Sequence, residues 1–294
     1  MSLVVTLIAG PGARRVLPGR AAAIGSALSA GKPDWLAPGQ ACDLVLEDAD
    51  AAKAERTARQ AIGDAAIDVL VQPAGGRRKR VFVADLESTI IENEMLDDLA
   101  EFIGLRDHVA EITRRAMNGE LDFSAALTER VALLKGLPAT VLDEAAARIR
   151  LMPGAHTLLA TLRAARVRTA LVSGGFTVFV ERIAAELGFD RVSANRLDIS
   201  DGHITGTVAA PILPPESKRE VLLRMAAEAG VPVSATAAAG DGANDLPMLE
   251  AAGLGIAFHA KPAVAAAARW RLDHADLTGV LYAQGYRQGE IVEP

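Results

Sequence analysis

Two carboxylic acids follow the end of a short apolar run, with one residue between them. In the stretch RVFVADLESTIIENE, residues 80–94, the run VFVA is followed at once by Asp85 and then by Glu87. A carboxylate at the end of a buried strand can attack a substrate as a nucleophile, and a neighbouring acid can give and take protons. The pair therefore marks a candidate site for chemistry, although Asp85 alone could simply be the N-cap of a helix.

A serine and two glycines close a second apolar run. The run TALVS, residues 169–173, leads into Ser173, Gly174 and Gly175, and a helical pattern follows. Glycines allow backbone N–H groups to approach an anion, and the next helix directs the positive end of its dipole toward it. Such a triplet alone is usually only a turn, but after an apolar run it predicts a phosphate site.

Two further acids lie in a glycine-containing loop after a third, alanine-rich run. The loop GDGANDLP, residues 240–247, contains Asp241 and Asp245, whose carboxylates suit a hard divalent cation. Magnesium usually takes one or two protein carboxylates and completes its shell with substrate oxygens and water. Lys218, at the start of a predicted helix, would add a fixed positive charge, so the three clusters together predict phosphate chemistry.

Strands alternate with helices along most of the chain, which predicts a parallel sheet with helices on both faces. In such sheets ligands bind beyond the carboxyl ends of the strands, so the three clusters should converge although about 160 residues separate the first from the last. Residues 93–150 are almost continuously helical in pattern, which indicates an inserted helical cap. A hairpin is predicted to turn at Asp201-Gly202.

The predicted domain organisation has three parts. They are a small α/β domain at 1–76, a catalytic core at 77–92 and 151–294, and the inserted cap at 93–150. The turn residues at 73–76 mark the linker. The basic run RRKR that follows could contact nucleic acid, but such a run is more often a solvated surface or a linker. We expect one of these two, and not a nucleic-acid contact.

The composition favours a globular chain that does not bind nucleic acid. Of 294 residues, 50% are hydrophobic and 23% are charged, which allows a sizeable core, and the formal net charge of -6 disfavours a binder of phosphate backbones. Cys42 is the only cysteine, which fits a reducing compartment. No apolar run approaches the ~20 residues of a membrane span. We therefore expect a soluble cytoplasmic protein, and a homodimer is compatible with the sequence, which does not fix the oligomeric state.

Taken together, the segments DLEST, VSGG, Lys218 and GDGAND resemble the four signature segments of the haloacid dehalogenase superfamily. The segments IIENEMLDDLAE, ITRRAMNGELDFSAALTERVALLKGLP, RLDISDGHITG and GDGANDLPML are similar to the phosphoserine phosphatase family within it. The resemblance covers about residues 77–275, and the long cap segment makes it specific. It implies an α/β fold, a Rossmann-like parallel sheet with an inserted helical cap. The N-terminal unit resembles, less closely, the small ACT-like domain of some members.

The resemblance assigns a role to each matching core residue. Asp85 would be the nucleophile that becomes an aspartyl phosphate, and Glu87, where the family has Asp, would be the general acid and base. Asp85, Asp241 and the backbone carbonyl of Glu87 would bind Mg²⁺. The remaining matches would hold the phosphoryl oxygens, or support the phosphate and the metal: Ser173, Gly174 and Lys218 in the first role, Asn244 and Asp245 in the second.

In the cap, the resemblance assigns Glu94 to the substrate ammonium and Arg130 to its carboxylate, with Met117 and Phe123 shaping the pocket. Phe123 and Arg130 are seven residues apart, so on a helix they share one face. A guanidinium can meet a carboxylate through two parallel hydrogen bonds, which suits an amino-acid substrate. An ordinary ion pair would also explain Glu94 and Arg130, and core packing would explain Met117 and Phe123.

The activity that the resemblance implies is Mg²⁺-dependent hydrolysis of O-phosphoserine to serine and phosphate, in serine biosynthesis. Two alternatives stay open: a related phosphatase or phosphotransferase acting on another small phosphomonoester, and a weakly catalytic amino-acid-binding regulator. Glu87 bears on this choice because it departs from the family's Asp by one methylene. The longer acid could slow the proton transfers, or it could mark a decayed site.

Overall fold

The computed structural model describes residues 2–118 and 120–293, and the side chain of Met117 lies outside the described part. The strands are β1 (Leu3–Ala9), β2 (Asp34–Ala37), β3 (Ala41–Leu46), β4 (Ile67–Pro73), β5 (Val81–Ala84), β6 (Arg168–Phe176), β7 (Arg191–Asn195), β8 (Leu197–Ser200), β9 (His203–Val208), β10 (Thr236–Gly240), β11 (Leu254–Phe258) and β12 (Trp270–Leu272). The α-helices are α1 (Leu17–Ala27), α2 (Ala51–Ile62), α3 (Met95–Glu101), α4 (Arg106–Met117), α5 (Phe123–Leu133), α6 (Thr140–Ala146), α7 (Ala155–Ala164), α8 (Thr177–Leu187), α9 (Glu216–Glu228), α10 (Leu246–Ala251), α11 (Pro262–Ala267) and α12 (Gly279–Ala283). Within the described residues, none of these helices has the length and apolar character that crossing a membrane requires.

By compactness the chain divides into two units. The first comprises Met1–Arg80, Pro153–Val167 and Arg269–Pro294, and the second comprises Val81–Met152 and Arg168–Ala268. All the candidate site residues lie in the second unit. The predicted three-part domain organisation stays a proposal, because this division groups segments by contact and does not separate the inserted helices from the sheet.

The second unit is built on a parallel sheet, as predicted. Five of its strands lie side by side in the order β11-β10-β5-β6-β7, and each neighbouring pair runs parallel. The central strands β5 and β10 are buried along their whole length. Continuous apolar runs such as VFVA suit this position, because a central parallel strand is covered on both faces.

Helices α9 and α10 cover one face of this sheet. Val81, Val83 and Val172 from the strands pack in one core cluster with Leu222 of α9 and Met248 of α10. These strand residues alternate along the chain, as side chains that share one face of a sheet must. Burial of this cluster fixes the strands in register, so the ends of β5, β6 and β10 come to the same edge.

The segment between β5 and β6 includes the helices α3, α4, α5 and α6. Its own small core contains Ile112 and Ala116 of α4 with Ala126 of α5. The predicted hairpin is also present, because β8 and β9 pair antiparallel around a turn at Asp201 and Gly202, both of which have positive φ angles. Strand β9 contacts α5, so the hairpin packs against the helical insertion.

The first unit contains an antiparallel sheet in the order β2-β3-β1-β4. Helices α1 and α2 cover one face through an apolar cluster that includes Val5, Leu44 and Val69. Strand β2 is an element that sequence reasoning missed, because its sequence DWLA lacks the continuous apolar run that marks β5. The ACT-like character of this sheet stays a proposal.

The C-terminal segment packs against the same sheet. The Trp270 indole donates to the Val71 carbonyl at 2.8 Å, and the buried Asp68 carboxylate accepts hydrogen bonds from the backbone N–H groups of Asp273 and Ala275 at 2.7 and 2.8 Å. Residues close to the two ends of the chain therefore share one compact unit.

The basic run RRKR is only partly a solvated surface. Arg78 and Arg80 are exposed, but the Arg77 guanidinium donates to Asp43 Oδ2 at 2.5 Å and to Thr6 Oγ1 at 2.9 Å. Lys79 is buried and donates to the Gly76 carbonyl. The run was expected to be a solvated surface or a linker. It does connect β4 to β5, but only one side of it is solvated, because alternate residues of an extended segment face opposite sides and the other side meets the sheet of the first unit.

Candidate active site

The three predicted clusters lie at the carboxyl ends of adjacent strands. Asp85 follows β5, and its backbone N–H donates to the Ala239 carbonyl of β10 at 3.0 Å. The Ser173 cluster lies in the second half of β6, the strand on the other side of β5. Asp85, Asp241 and Asp245 each place a carboxylate oxygen within 4.8 Å of the others. The sheet therefore brings together acids that are far apart in sequence.

Lys218 joins two of these acids. Its Nζ lies 2.7 Å from Asp85 Oδ1 and 2.6 Å from Asp245 Oδ1, and its side chain is 3% exposed. Burial opposes protonation of this lysine, but the two carboxylates outweigh it and raise the pKa of Lys218. The ammonium is therefore a permanent positive charge beside the predicted nucleophile.

Asp245 has both carboxylate oxygens occupied by the protein. Oδ1 accepts from Lys218, and Oδ2 accepts from the backbone N–H groups of Asp241 and Gly242 at 3.0 and 2.9 Å. A Cβ at Gly240 would overlap this carboxylate, so only glycine fits there. Asp245 thus shapes the loop, and its supporting role toward the phosphate and the metal stays a prediction.

The donor set fits a divalent cation. Burial raises the pKa of Asp241 to about 7, and burial together with the charge of Asp245 holds the pKa of Asp85 well above its usual range. Asn244 is 7% exposed, and its Oδ1 atom has no hydrogen-bond partner in the part of the chain that the structure describes. Carboxylate and amide oxygens are hard ligands of the kind that Mg²⁺ prefers. A bound cation would also reduce the repulsion between the neighbouring carboxylates.

Glu87 reaches the start of the helical insertion. Its Oε1 accepts a hydrogen bond from the backbone N–H of Met95, the first residue of α3, at 2.7 Å. The side chain is partly exposed to the pocket, yet burial and the neighbouring charge of Glu94 raise the pKa of Glu87 to about 8. A carboxyl with such a pKa can carry a proton near neutral pH, as a general acid must.

Hydrogen bonds hold the glycines of β6 in place. Ser173 Oγ accepts from the Gly175 N–H at 2.9 Å, and the Asn195 side-chain amide donates to the Gly174 carbonyl at 2.8 Å. A Cβ at Gly174 would overlap the ring of Phe123, so the close approach of this ring requires glycine. Strand β6 runs on to Phe176, beyond the cluster expected to end it.

One pocket is lined by most of the predicted residues. The lining residues are Asp85, Glu87, Glu94, Leu96, Phe123, Leu127, Arg130, Gly174, Gly175, Asp241 and Asn244. Ser173, Lys218 and Asp245 do not line it, but Lys218 contacts the lining residue Asp85, and Asp245 accepts from the backbone N–H of the lining residue Asp241. The prediction for Met117 falls on a side chain outside the described residues.

Lys261 is a site residue that sequence reasoning missed. Its Nζ lies 2.8 Å from Asp241 Oδ2 and 3.7 Å from Glu94 Oε1. Glu94 also accepts from Ser88 Oγ at 2.7 Å, and Ser88 has a positive φ angle of 54°. A signal was available, since Lys261 stands three residues after the end of β11, a predicted strand of the same sheet. It is a weak one, because a lone lysine after a strand is most often a solvated surface residue.

Comparisons with known proteins agree with this geometry. A model of the haloacid dehalogenase-like hydrolase family matches residues 82–250. Phosphoserine phosphatase SerB2 of Mycobacterium tuberculosis is 48% identical over 227 residues, which cover 76% of this chain and 56% of that protein. The chain thus spans little more than half the length of this relative, and the same is true of the relative from Streptomyces coelicolor.

Two solved structures extend the comparison. One, described as a phospho-aspartyl intermediate analogue of phosphoserine phosphatase, is 38% identical with a TM-score of 0.67 and covers 70% of this chain and 98% of its own. The other, a HAD family hydrolase from Salmonella enterica serovar Typhi, is 29% identical with a TM-score of 0.83 and covers 96% of this chain and 98% of its own.

Proposed function

We propose, from the premise that this chain belongs to the haloacid dehalogenase-like hydrolase family, that it is a phosphoserine phosphatase. It would hydrolyse O-phosphoserine to serine and phosphate through an aspartyl phosphate, as a step of serine biosynthesis. One observation carries the proposal: a single pocket presents Asp85 and Gly174 together with Glu94 and Arg130. The first two suit a phosphate group, and the last two suit the ammonium and carboxylate of an amino acid.

The first half of the reaction follows from the groups around Asp85. One Asp85 oxygen is paired with Lys218, so the other can attack phosphorus. A phosphate dianion repels a carboxylate, and Lys218 with the N–H groups near Gly174 offsets this repulsion. Glu87 protonates the departing serine oxygen, and the phosphoryl group stays on Asp85.

The second half restores the carboxylate of Asp85. Glu87, now ionised, takes a proton from water, which attacks the aspartyl phosphate and releases inorganic phosphate. The residues that would hold Mg²⁺ are Asp85, Asp241 and the backbone carbonyl of Glu87, with Asp245 behind them. When bound, the ion supplies positive charge that stabilises the phosphoryl oxygens in the transition state.

Removal of divalent cations should stop phosphate release. Phosphate should be measured with excess EDTA, and again after Mg²⁺ is restored, on a panel of O-phosphoserine, O-phosphothreonine, phosphoethanolamine and glycerol phosphate. Mg²⁺ should also raise the melting temperature, because an ion that binds only the folded state stabilises it. The proposal fails if O-phosphoserine is not among the preferred substrates, or if EDTA leaves the rate unchanged.

The same panel separates the alternatives. Added homoserine as an acceptor would reveal a phosphotransferase, and serine binding without phosphate release would point to a regulator. The homodimer, the cytoplasmic location and the sensing role of residues 1–76 stay predictions; light scattering and serine titration of the whole chain would test the first and the last.

Replacement of Arg130 by Ala should weaken activity on O-phosphoserine far more than on phosphoethanolamine. Only the first substrate has the carboxylate that Arg130 is proposed to bind. The loss of a hydrogen bond to a charged group is worth about 1.5–3 kcal/mol, so kcat/KM for O-phosphoserine should fall roughly 10- to 150-fold. Arg148→Ala is a matched control, because this arginine is 49% exposed and does not line the pocket. Equal losses on both substrates would indicate a structural role for Arg130.

A further inference from the structure

We propose that Thr113 and Asp97 are positioning residues that orient the Arg130 guanidinium toward the carboxylate of the substrate. The inference rests on the proposed function, in which Arg130 binds that carboxylate. The three residues lie on three different helices, with Asp97 on α3, Thr113 on α4 and Arg130 on α5. Their hydrogen bonds form one chain across the helical insertion.

The guanidinium of Arg130 is held at two of its nitrogens. Nε donates to the Ala126 carbonyl, one turn earlier on α5, at 3.0 Å, and Nη1 donates to Thr113 Oγ1 at 2.9 Å. Arg130 is only 3% exposed, so the packed protein around its side chain limits rotation of the guanidinium. The third nitrogen, Nη2, has no hydrogen bond among the described residues, so it is available to a ligand in the pocket that Arg130 lines.

Thr113 is fixed in its turn by Asp97. The hydroxyl has one proton and contacts two acceptors, Asp97 Oδ1 at 2.7 Å and the Val109 carbonyl at 3.0 Å. Whichever acceptor this proton points to, the Thr113 oxygen keeps a lone pair that accepts from Arg130 Nη1. Thr113 and Asp97 are both buried, at 4% and 8% exposure, so water cannot easily replace a lost partner.

The hydroxyl also keeps a buried carboxylate away from the guanidinium. In the described part of the chain, Asp97 and Arg130 do not form an ion pair, although each is a buried charge of opposite sign. A direct pair would use the two parallel N–H groups with which an arginine binds a carboxylate. With Thr113 between them, Asp97 supplies compensating negative charge while Nη2 of the guanidinium stays open to the substrate.

Thr113→Val tests the inference, because valine has nearly the same shape and lacks the hydroxyl. We expect KM for O-phosphoserine to rise roughly 10-fold, the lower end of the loss of a hydrogen bond to a charged group. kcat should change much less, and kcat/KM for phosphoethanolamine should stay near the wild-type value. Thr113→Ser keeps the hydroxyl and should restore most of the preference for O-phosphoserine. Melting temperatures of all variants identify any that are poorly folded.

A double-mutant cycle separates positioning from simple support of the helices. If Thr113 acts through Arg130, Thr113→Val should not lower the preference for O-phosphoserine further when Arg130 is already Ala. An equal loss on both substrates, an unchanged preference, or a further loss in the Arg130→Ala background would overturn the inference while the proposed function stands. A wild-type protein that does not hydrolyse O-phosphoserine would overturn both.

Discussion

Replacement of Asp85 by Asn should abolish turnover of O-phosphoserine and leave the fold intact. The amide has the shape of the carboxylate but cannot form an acyl phosphate, so the covalent route is closed. We expect a loss of at least ~10⁴-fold, the scale seen when a member of a nucleophilic catalytic group is removed. The measurement is steady-state phosphate release at saturating Mg²⁺, together with the thermal unfolding curve.

Asp190→Asn is the matched control for this experiment. Asp190 also accepts hydrogen bonds, from the Thr169 N–H at 2.7 Å and the Thr169 hydroxyl at 3.2 Å, but Thr169 lies near the opposite end of β6 from Ser173. Its replacement should affect stability more than turnover. Activity of the Asp85→Asn protein clearly above background, after mass spectrometry has excluded deamidation to Asp, would rule out Asp85 as the nucleophile.

Glu87→Ala should lower turnover by ~10²–10⁴-fold, the usual share of general acid–base catalysis. Without an acid, the serine oxygen must leave as an alkoxide, and no base activates the water in the second step. Glu87→Gln is the sharper variant, because it retains an oxygen that can accept from the Met95 N–H and loses only the transferable proton. The two variants should be similarly slow, and a Gln variant as active as wild type would exclude Glu87 as the acid.

Glu87→Asp tests whether the site has adapted to the longer acid. Glu87 Oε1 accepts from the Met95 N–H at 2.7 Å, and an aspartate, one methylene shorter, would have to shift its carboxylate to keep this contact. A misplacement of ~1 Å can cost ~10²-fold in rate. We therefore expect the Asp variant to be slower than wild type and faster than the Ala variant. An Asp variant faster than wild type would contradict this adaptation.

The sequence by itself identified the central strands of the parallel sheet, the helices that follow β5, and the reactive residues at the strand ends, although it missed β2. These features are local: an apolar run such as VFVA becomes a buried strand because of its own composition, and Asp85 must then stand at its end. The position of Asp241 after the alanine-rich run follows in the same way. Convergence of the clusters could be expected because a parallel sheet gathers the carboxyl ends of its strands at one edge.

Only the tertiary structure decided which partners these residues have. The sequence could not show that Lys218 lies between Asp85 and Asp245, or that Glu87 reaches the N–H of Met95. It also left Glu94 and Arg130 open to an ordinary ion pair. In the structure Glu94 does pair with Lys261 and also accepts from Ser88, whereas the Arg130 guanidinium donates to Thr113.

The physical reason is that local patterns and long-range contacts depend on different things. Hydrophobic periodicity and turn residues depend on neighbours in sequence, so they can be identified before the tertiary structure is known. The contact between Arg77 and Asp43, and that between the indole of Trp270 and the Val71 carbonyl, depend on how separate elements pack. The sequence around one partner does not identify the other. The sequence alone therefore determined the elements and the acids at their ends, and the packing decided which side chains hold those acids in place.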